Sequence, residues 1–268
     1  MLPHTAIASA RPPAESARRH STRNSFGVLS ILFGLALPAG ADTGSFANIE
    51  QISDILERTR QAEAQRANTL EVTQSGRNLV VDAYVQGQMN RANTVSQSGD
   101  NASARISVTG DSNSFAIRQD SSPVGSQPAG RNDATLTIEG DSNDALIRQT
   151  NDFGELYYNS ASLTQLGHGN TAAIYQTVSP GDLVEGGNVA SIVQNGDDND
   201  ALIEQTGAGN TASIEQDGND NQGKIYQDGE GLSAVLVQTG DALEYTINQT
   251  GCVVASGCGT VTVTQGAY

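Results

Sequence analysis

The segment Gln194-Asn195-Gly196-Asp197-Asp198-Asn199-Asp200-Ala201-Leu202-Ile203-Glu204-Gln205 runs directly into Thr206-Gly207-Ala208-Gly209-Asn210-Thr211-Ala212-Ser213-Ile214-Glu215-Gln216. Both pieces carry one pattern, Asn-x-Ala-x-Ile-x-Gln-x-Gly-x-x, and it restarts every eleven residues. Asn, Ala, Ile and Gln hold alternate positions, so an extended chain turns all four to one side. Gly-x-x supplies the turn, because glycine takes positive φ without a Cβ penalty. Eleven residues are too few for a helical-hairpin repeat, and the β-branched residues favour strand.

The register runs outward from this segment. Gln194, Gln205, Gln216, Gln227, Gln238 and Gln249 are spaced by eleven, as are Gln165 and Gln176. Upstream it passes through Gln74, Gln86, Gln97, Val108, Gln119, Ile138 and Gln149, and Gln265 closes it. That makes sixteen arms with 14 of the chain's 20 glutamines on the register; Gln61, Gln65 and Gln127 fall off it. Two residues before each register point stands a large apolar residue, such as Ile147, Ile174, Ile192, Ile203, Ile214, Ile225, Ile247 or, in the second arm, Tyr84. Six before stand Asn143, Asn170, Asn188, Asn199, Asn210 and Asn221.

Identical arms predict an all-β solenoid of stacked strand-turn-strand coils, with an amyloid-like cross-β spacing of about 4.8 Å. Two arms of 11 residues give coils of 22 and a column of eight coils. Ile stacks on Ile and Ala on Ala, while the register glutamines and the asparagines form amide ladders. Three long intervals follow arms in which Ser121, Asn151 and Val178 replace the turn glycine, so Asp120–Arg131, Thr150–Tyr158 and Thr177–Gly187 read as loops at coil corners.

Composition agrees with a thin core. Leu, Ile, Val and Phe make up about 21% of the 268 residues, near the level at which acidic chains stay disordered, and there is no Trp. The formal net charge of -16 argues against nucleic acid as a partner, since phosphate neutralisation needs Lys and Arg.

The first 41 residues read as a secretory signal peptide. Arg11, Arg18, Arg19 and Arg23 precede an apolar stretch from Phe26 to Leu37, and Ala39-Gly40-Ala41 offers a small-residue cleavage site. Twelve apolar residues rise about 18 Å as a helix, short of a ~30 Å hydrocarbon core, so no membrane span is expected. Cleavage leaves 10 basic and 29 acidic residues, a net charge of -19. Residues 42–67 read as a separate leader, either flexible or an amphipathic helix, since Ile49, Ile52, Ile55 and Leu56 fall at helical spacing. Residues 68–268 form the repeat domain.

The Gln-x-Gly-x-x-Asn-x-Ala-x-x-x-Gln pattern of 194–205 and 205–216 resembles the curlin repeat of bacterial curli fibre subunits, and the resemblance extends in phase over Asn68 to Gln265. It implies a non-enzymatic, secreted structural subunit that self-associates into extracellular amyloid fibres of the biofilm matrix at the bacterial cell surface. It also implies other curlin subunits and an outer-membrane export pore as partners, no cofactor, and residues 42–67 as the export leader. The chain departs from the pattern where Asn commonly opens both arms, and at Val108 and Ile138.

Other sites are thinly supplied. His168, in Gly167-His168-Gly169, is the one histidine after residue 41 and reads as a turn residue, since a catalytic triad or zinc site needs further partners. Turns such as Gly110-Asp111-Ser112-Asn113, Gly140-Asp141-Ser142-Asn143 and Gly196-Asp197-Asp198-Asn199 offer oxygen ligands to calcium, or simply good turn chemistry. Cys252 and Cys258 are expected to close a small disulfide loop, the default in an exported protein. An exported β-helix acting on polysaccharide and a calcium-binding β-roll are the alternative readings.

Overall fold

A computed structural model describes residues 29–34, 46–52, 55–61, 68–121, 130–152, 154, 156–178, 186–251 and 258–266. Its strands are β1 (Leu29–Gly34), β2 (Phe46–Ile52), β3 (Ile55–Gln61), β4 (Thr69–Arg77), β5 (Leu79–Gln86), β6 (Asn93–Asp100), β7 (Ala102–Thr109), β8 (Ser114–Ser121), β9 (Arg131–Glu139) and β10 (Asp144–Asn151). They continue as β11 (Tyr158–Leu166), β12 (Thr171–Val178), β13 (Asn188–Asn195), β14 (Asp200–Thr206), β15 (Thr211–Asp217), β16 (Gln222–Asp228), β17 (Ser233–Thr239), β18 (Glu244–Thr250) and β19 (Thr260–Gly266). No helix occurs among the described residues.

Each strand from β2 onward pairs in parallel with the strand two places along. Even strands form one sheet, in the order β1-β2-β4-β6-β8-β10-β12-β14-β16-β18, and odd strands from β3 to β19 form the other. One even and one odd strand make a coil, and successive coils stack in register: Ile147 on Ile174 on Ile203, Gln149 on Gln176 on Gln205. The chain is an all-β solenoid.

Burial follows the two-residue alternation of a strand. In β14, Ala201, Ile203 and Gln205 are buried while Glu204 is exposed. The expected core isoleucines, Ile147, Ile174, Ile192, Ile203, Ile214, Ile225 and Ile247, are all buried. Ala145, Ala172 and Ala201 stack in the even sheet and Ala134, Ala161, Ala190 and Ala212 in the odd one, which keeps the interior narrow. A chain poor in bulky residues fills such a core, because small side chains need little separation between the sheets.

The structure corrects the second arm. Gln86 is exposed, as is Tyr84, and the buried face of β5 is Leu79, Val81, Ala83 and Val85. Val85 pairs with Val108, which pairs with Ile138, so the register position of the first odd-sheet levels is apolar. The interval of twelve before Gln86 reflects this one-residue offset, which inverts the faces of a strand.

The leader also differs from expectation. Residues 46–52 and 55–61 are strands β2 and β3, not a helix, and they pair with β4 and β5 as a further coil. Ala47-x-Ile49-x-Gln51 repeats the arm motif, and Gln51 pairs with Gln74. Gln61 pairs with Val85, so it holds a register position after all. Parallel backbone pairing with an open strand edge here outweighs a short helical pattern whose intrinsic preference is weak. Gln65 and Gln127 lie outside the described residues.

The two edges of the column are unequal. From β7 onward the turns from odd to even strands are uniform: Gly110–Asn113, Gly140–Asn143, Gly167–Asn170, Gly196–Asn199, Gly218–Asn221 and Gly240–Leu243 each span four residues, whereas residues 87–92 connect β5 to β6. Connections from even to odd strands vary. They are single residues at Asn78 and Asn101, four-residue turns after β14 and β16, and longer segments after β8, β10, β12 and β18. Where Ser121, Asn151 and Val178 stand in place of glycine, they are buried and each is the last residue of its strand. Without glycine's positive φ the chain stays extended to that residue, and a longer connection follows.

Candidate functional site

Two amide ladders run through the interior. In the even sheet, Gln74 Nε2 donates to Gln97 Oε1 at 2.5 Å, Gln97 to Gln119 at 2.7 Å and Gln119 to Gln149 at 2.8 Å. The series continues from Gln149 to Gln176, Gln176 to Gln205 and Gln205 to Gln227 at 2.9 Å each, then to Gln249 at 2.7 Å. In the odd sheet, Gln165 donates to Gln194, Gln194 to Gln216, Gln216 to Gln238 and Gln238 to Gln265 at 3.1, 3.0, 2.9 and 2.8 Å. Every described bond points the same way, from the earlier coil to the later.

From Gln97 on, the second amide hydrogen of each ladder glutamine bonds across the core. Gln205 Nε2 donates to the Val189 carbonyl and Gln216 Nε2 to that of Asp200, both at 3.1 Å. Each residue therefore ties two levels together and the two sheets to each other. A buried amide left without these partners costs about 1–3 kcal/mol, which holds the register. Where Ile138 overlies Gln165, the Gln165 Oε1 atom is buried without a partner.

The asparagines clamp the edges. Nδ2 of Asn143, Asn170, Asn199 and Asn221 donates to the carbonyl of Gly167, Gly196, Gly218 and Gly240 in the next coil. Their Oδ1 atoms accept a backbone N–H of the same later coil, as from Asn170 to Asn143 at 3.0 Å and from Asn221 to Asn199 at 3.0 Å. On the other edge, Asn188 and Asn210 donate likewise to the carbonyls of Gly207 and Gly229, which open the turns after β14 and β16. The glycines are needed twice over. Gly196 and Gly218 have φ of 120° and 133°, and a Cβ on either would overlap the carbonyl oxygen stacked against it.

A third column, on the uniform edge, was not legible from the sequence. Asp111 Oδ1 accepts the Gln88 N–H, Asp141 Oδ1 that of Asp111 and Asp197 Oδ1 that of His168. Asn219 and Asp241 extend it by accepting from Asp197 and Asn219. His168 is one link: its Nδ1 accepts the Asp141 N–H at 3.2 Å. The turn carboxylates are thus engaged by the coil before them. The residue after each turn glycine is the signal that marks this column.

Cys258 is disulfide-bonded; the chain's other cysteine, Cys252, lies outside the described residues. At the C-terminal end the ladders stop. Gln249 and Gln265 donate to the Ser233 and Glu244 carbonyls but to no further glutamine among the described residues, and Tyr245 and Val261 are 40% and 39% exposed. At the other end, Gln74 Oε1 is buried with no partner among the described residues.

The family model of the curlin associated repeat matches residues 187–218 and 218–251. Over these residues the chain carries curlin repeats. Each matched stretch spans three arms, β13–β15 and β16–β18, where the intervals are all eleven. No curated protein matches the chain. Curlin repeats belong to structural fibre subunits rather than enzymes, and among the described residues no helix is long and apolar enough to cross a membrane.

Proposed function

We propose that this chain is a secreted subunit that polymerises, coil on coil, into extracellular curli-like fibres of the biofilm matrix. Residues 1–41 serve as its signal peptide, and an outer-membrane pore and other curlin subunits are its partners. The observation that carries the reading is the pair of one-way glutamine ladders that reach the last coil and stop there with donors to spare. An end coil with unpaired backbone and side-chain groups is a template for another strand pair.

The test is electron microscopy and fibre diffraction of the chain without residues 1–41, held at neutral pH. Fibres with a meridional reflection near 4.7–4.8 Å are expected. A chain that stays monomeric and folded, or that degrades polysaccharide, would sink the proposal.

A further inference from the structure

After Arg66 the chain holds 7 basic residues, and two of them stand directly over one another. Arg118 of β8 pairs with Arg148 of β10, and both side chains are exposed on the outer face of the even sheet. The strands that carry them lie about 4.8 Å apart. Like charges placed opposite one another destabilise a sheet. Asp120 and Asp144 share this face, yet neither ion-pairs with the two arginines. Among the described residues the arginine ion pairs are Arg77 with Asp100 and Arg131 with Asp133, and Asp144 accepts the Ser114 hydroxyl instead. Both guanidinium forks are without a hydrogen bond to another described residue.

The column runs on from the pair. Ser96 precedes Arg118, the half-buried Tyr175 of β12 follows Arg148, and Glu204 of β14 comes next. Alongside lie Ala116, Leu146 and Ala173, an apolar border that is itself half-buried. The strip also sits where the chain is least acidic. Residues 68–148 carry 9 acidic and 6 basic side chains, whereas residues 149–268 carry 15 and 1. Exposed charges act over about 8–10 Å at physiological salt, so this local balance governs what approaches the strip.

We propose that Arg118, Arg148 and Tyr175 bind an acidic polysaccharide: the two guanidiniums take carboxylates of successive uronic acid sugars, and the Tyr175 ring takes the face of the next sugar. A guanidinium holds a carboxylate through two parallel hydrogen bonds, and a tyrosine presents an apolar ring with a polar tip. An extended pyranose chain advances per sugar by a step similar to the strand spacing, so its carboxylates keep pace with the column. An anion between the arginines also removes the repulsion that the empty pair keeps in the fold. Glu204 repels a further carboxylate and confines the contact to three levels. A phosphate polymer gains its affinity from many Lys and Arg contacts, and the strip supplies two. The strip lies on the flank of the column, away from its ends, so its occupancy does not depend on the stacking proposed above.

Binding of polygalacturonate to the immobilised chain tests the assignment. The fully methyl-esterified polymer has the same sugars without the charge and should bind at least about tenfold more weakly. Arg118→Gln with Arg148→Gln should weaken binding of the charged polymer by at least about tenfold. Arg105→Gln with Lys224→Gln removes the same charge from positions where no second cation is stacked, and should change it less than about twofold. Tyr175→Ala leaves the charge untouched and should weaken binding about threefold. Absence of binding by the unsubstituted chain, equal losses from the two double variants, or no effect of Tyr175→Ala overturns the proposal. So does equally tight binding of the esterified polymer or of single-stranded DNA. Urea denaturation gives a second readout. With the like charges gone, Arg118→Gln with Arg148→Gln should be at least as stable as the unsubstituted chain. A loss of stability would make the pair a structural contact and also overturn the assignment.

Discussion

The two edges of this column are made by one chain from one repeating arm, yet one edge is uniform and the other is not. On the uniform edge, glycine opens each turn from Gly110 to Gly240, and Asp, Asn or His side chains pass hydrogen bonds from coil to coil. On the varied edge, Ser121, Asn151 and Val178 replace glycine in three consecutive even strands, and connections of different length follow them. The ladders run unbroken between the edges in the even sheet, so variation at the corner leaves the stack intact. The register is therefore held by the interior amides and one edge from β8 to β13, where the second edge is released from that task; further along, Asn188 and Asn210 clamp the second edge as well.

If this division is correct, the largest effect should come from the glycine position on the uniform edge. Gly218→Ala adds a Cβ that overlaps the Gly240 carbonyl oxygen, at a φ that L-residues avoid. It should destabilise the folded chain by about 3 kcal/mol or more. Ser121→Ala, at the matching position of the varied edge, removes one hydrogen bond to the Asp100 carbonyl and should cost about 1 kcal/mol. Urea denaturation of both variants measures the contrast, and equal losses would erase the distinction between the edges.

Next in size is the interior that joins them. Gln205→Ala strips a partner from Gln176 and another from Gln227. A loss of about 2 kcal/mol and slower fibre growth are expected. Gln86→Ala is the matched control. Gln86 is exposed and accepts from the Tyr84 hydroxyl, so the change should stay within about 0.5 kcal/mol. Comparable effects on denaturation midpoint and on growth rate would refute the corrected register.

Much of this was legible in the residues. The alternation of Asn, Ala, Ile and Gln defined strand faces, and the interval of eleven defined the coil, because stacked identical residues must share a period. Glutamine identity misled at Gln86, where the alternating Leu79, Val81, Ala83 and Val85 carry the buried face. It was blind at 46–61, where charged residues hid an Ala-x-Ile-x-Gln arm and isoleucines fell by chance at helical spacing. The separation of the edges was not legible either. It depends on which arm of each coil lacks glycine, and the period of 11 does not distinguish odd arms from even ones. The turn carboxylate column escaped for a related reason: Asp, Asn and His alternate in it, so its shared bonding is invisible as a shared letter.

The turn column offers a smaller and more selective test. Asp197→Ala removes the acceptor of the His168 N–H on a partly exposed edge and should cost about 0.5–1.5 kcal/mol. Asp197→Asn keeps an amide oxygen there, as Asn219 already does one level on, and should cost a few tenths. If the column acts by charge, through a bound cation or an ion pair, the asparagine variant would lose as much as the alanine one. Melting curves with and without calcium separate these outcomes.

The smallest effect is expected in a long connection between strands. Lengthening the connection between β12 and β13, by inserting five Gly/Ser residues between Pro180 and Gly181, leaves the sequence of the strands that carry the ladders unchanged. Loop-closure entropy rises only as the logarithm of length, so a doubling costs about 0.6 kcal/mol. The same insertion between Asp197 and Asp198 enters a four-residue turn whose members bond to the coils on both sides: Asp198 N–H donates to the His168 carbonyl, and Asp197 N–H to Asn219. It breaks those bonds and displaces Asn199 from Gly218. Fibres should form from the first variant at nearly the unmodified rate and from the second slowly or not at all. Should the varied edge prove as intolerant as the uniform one, its loops would have to be structural parts of the stack. Glycine loss at Ser121, Asn151 and Val178 would then mark added contacts and not a corner released from register.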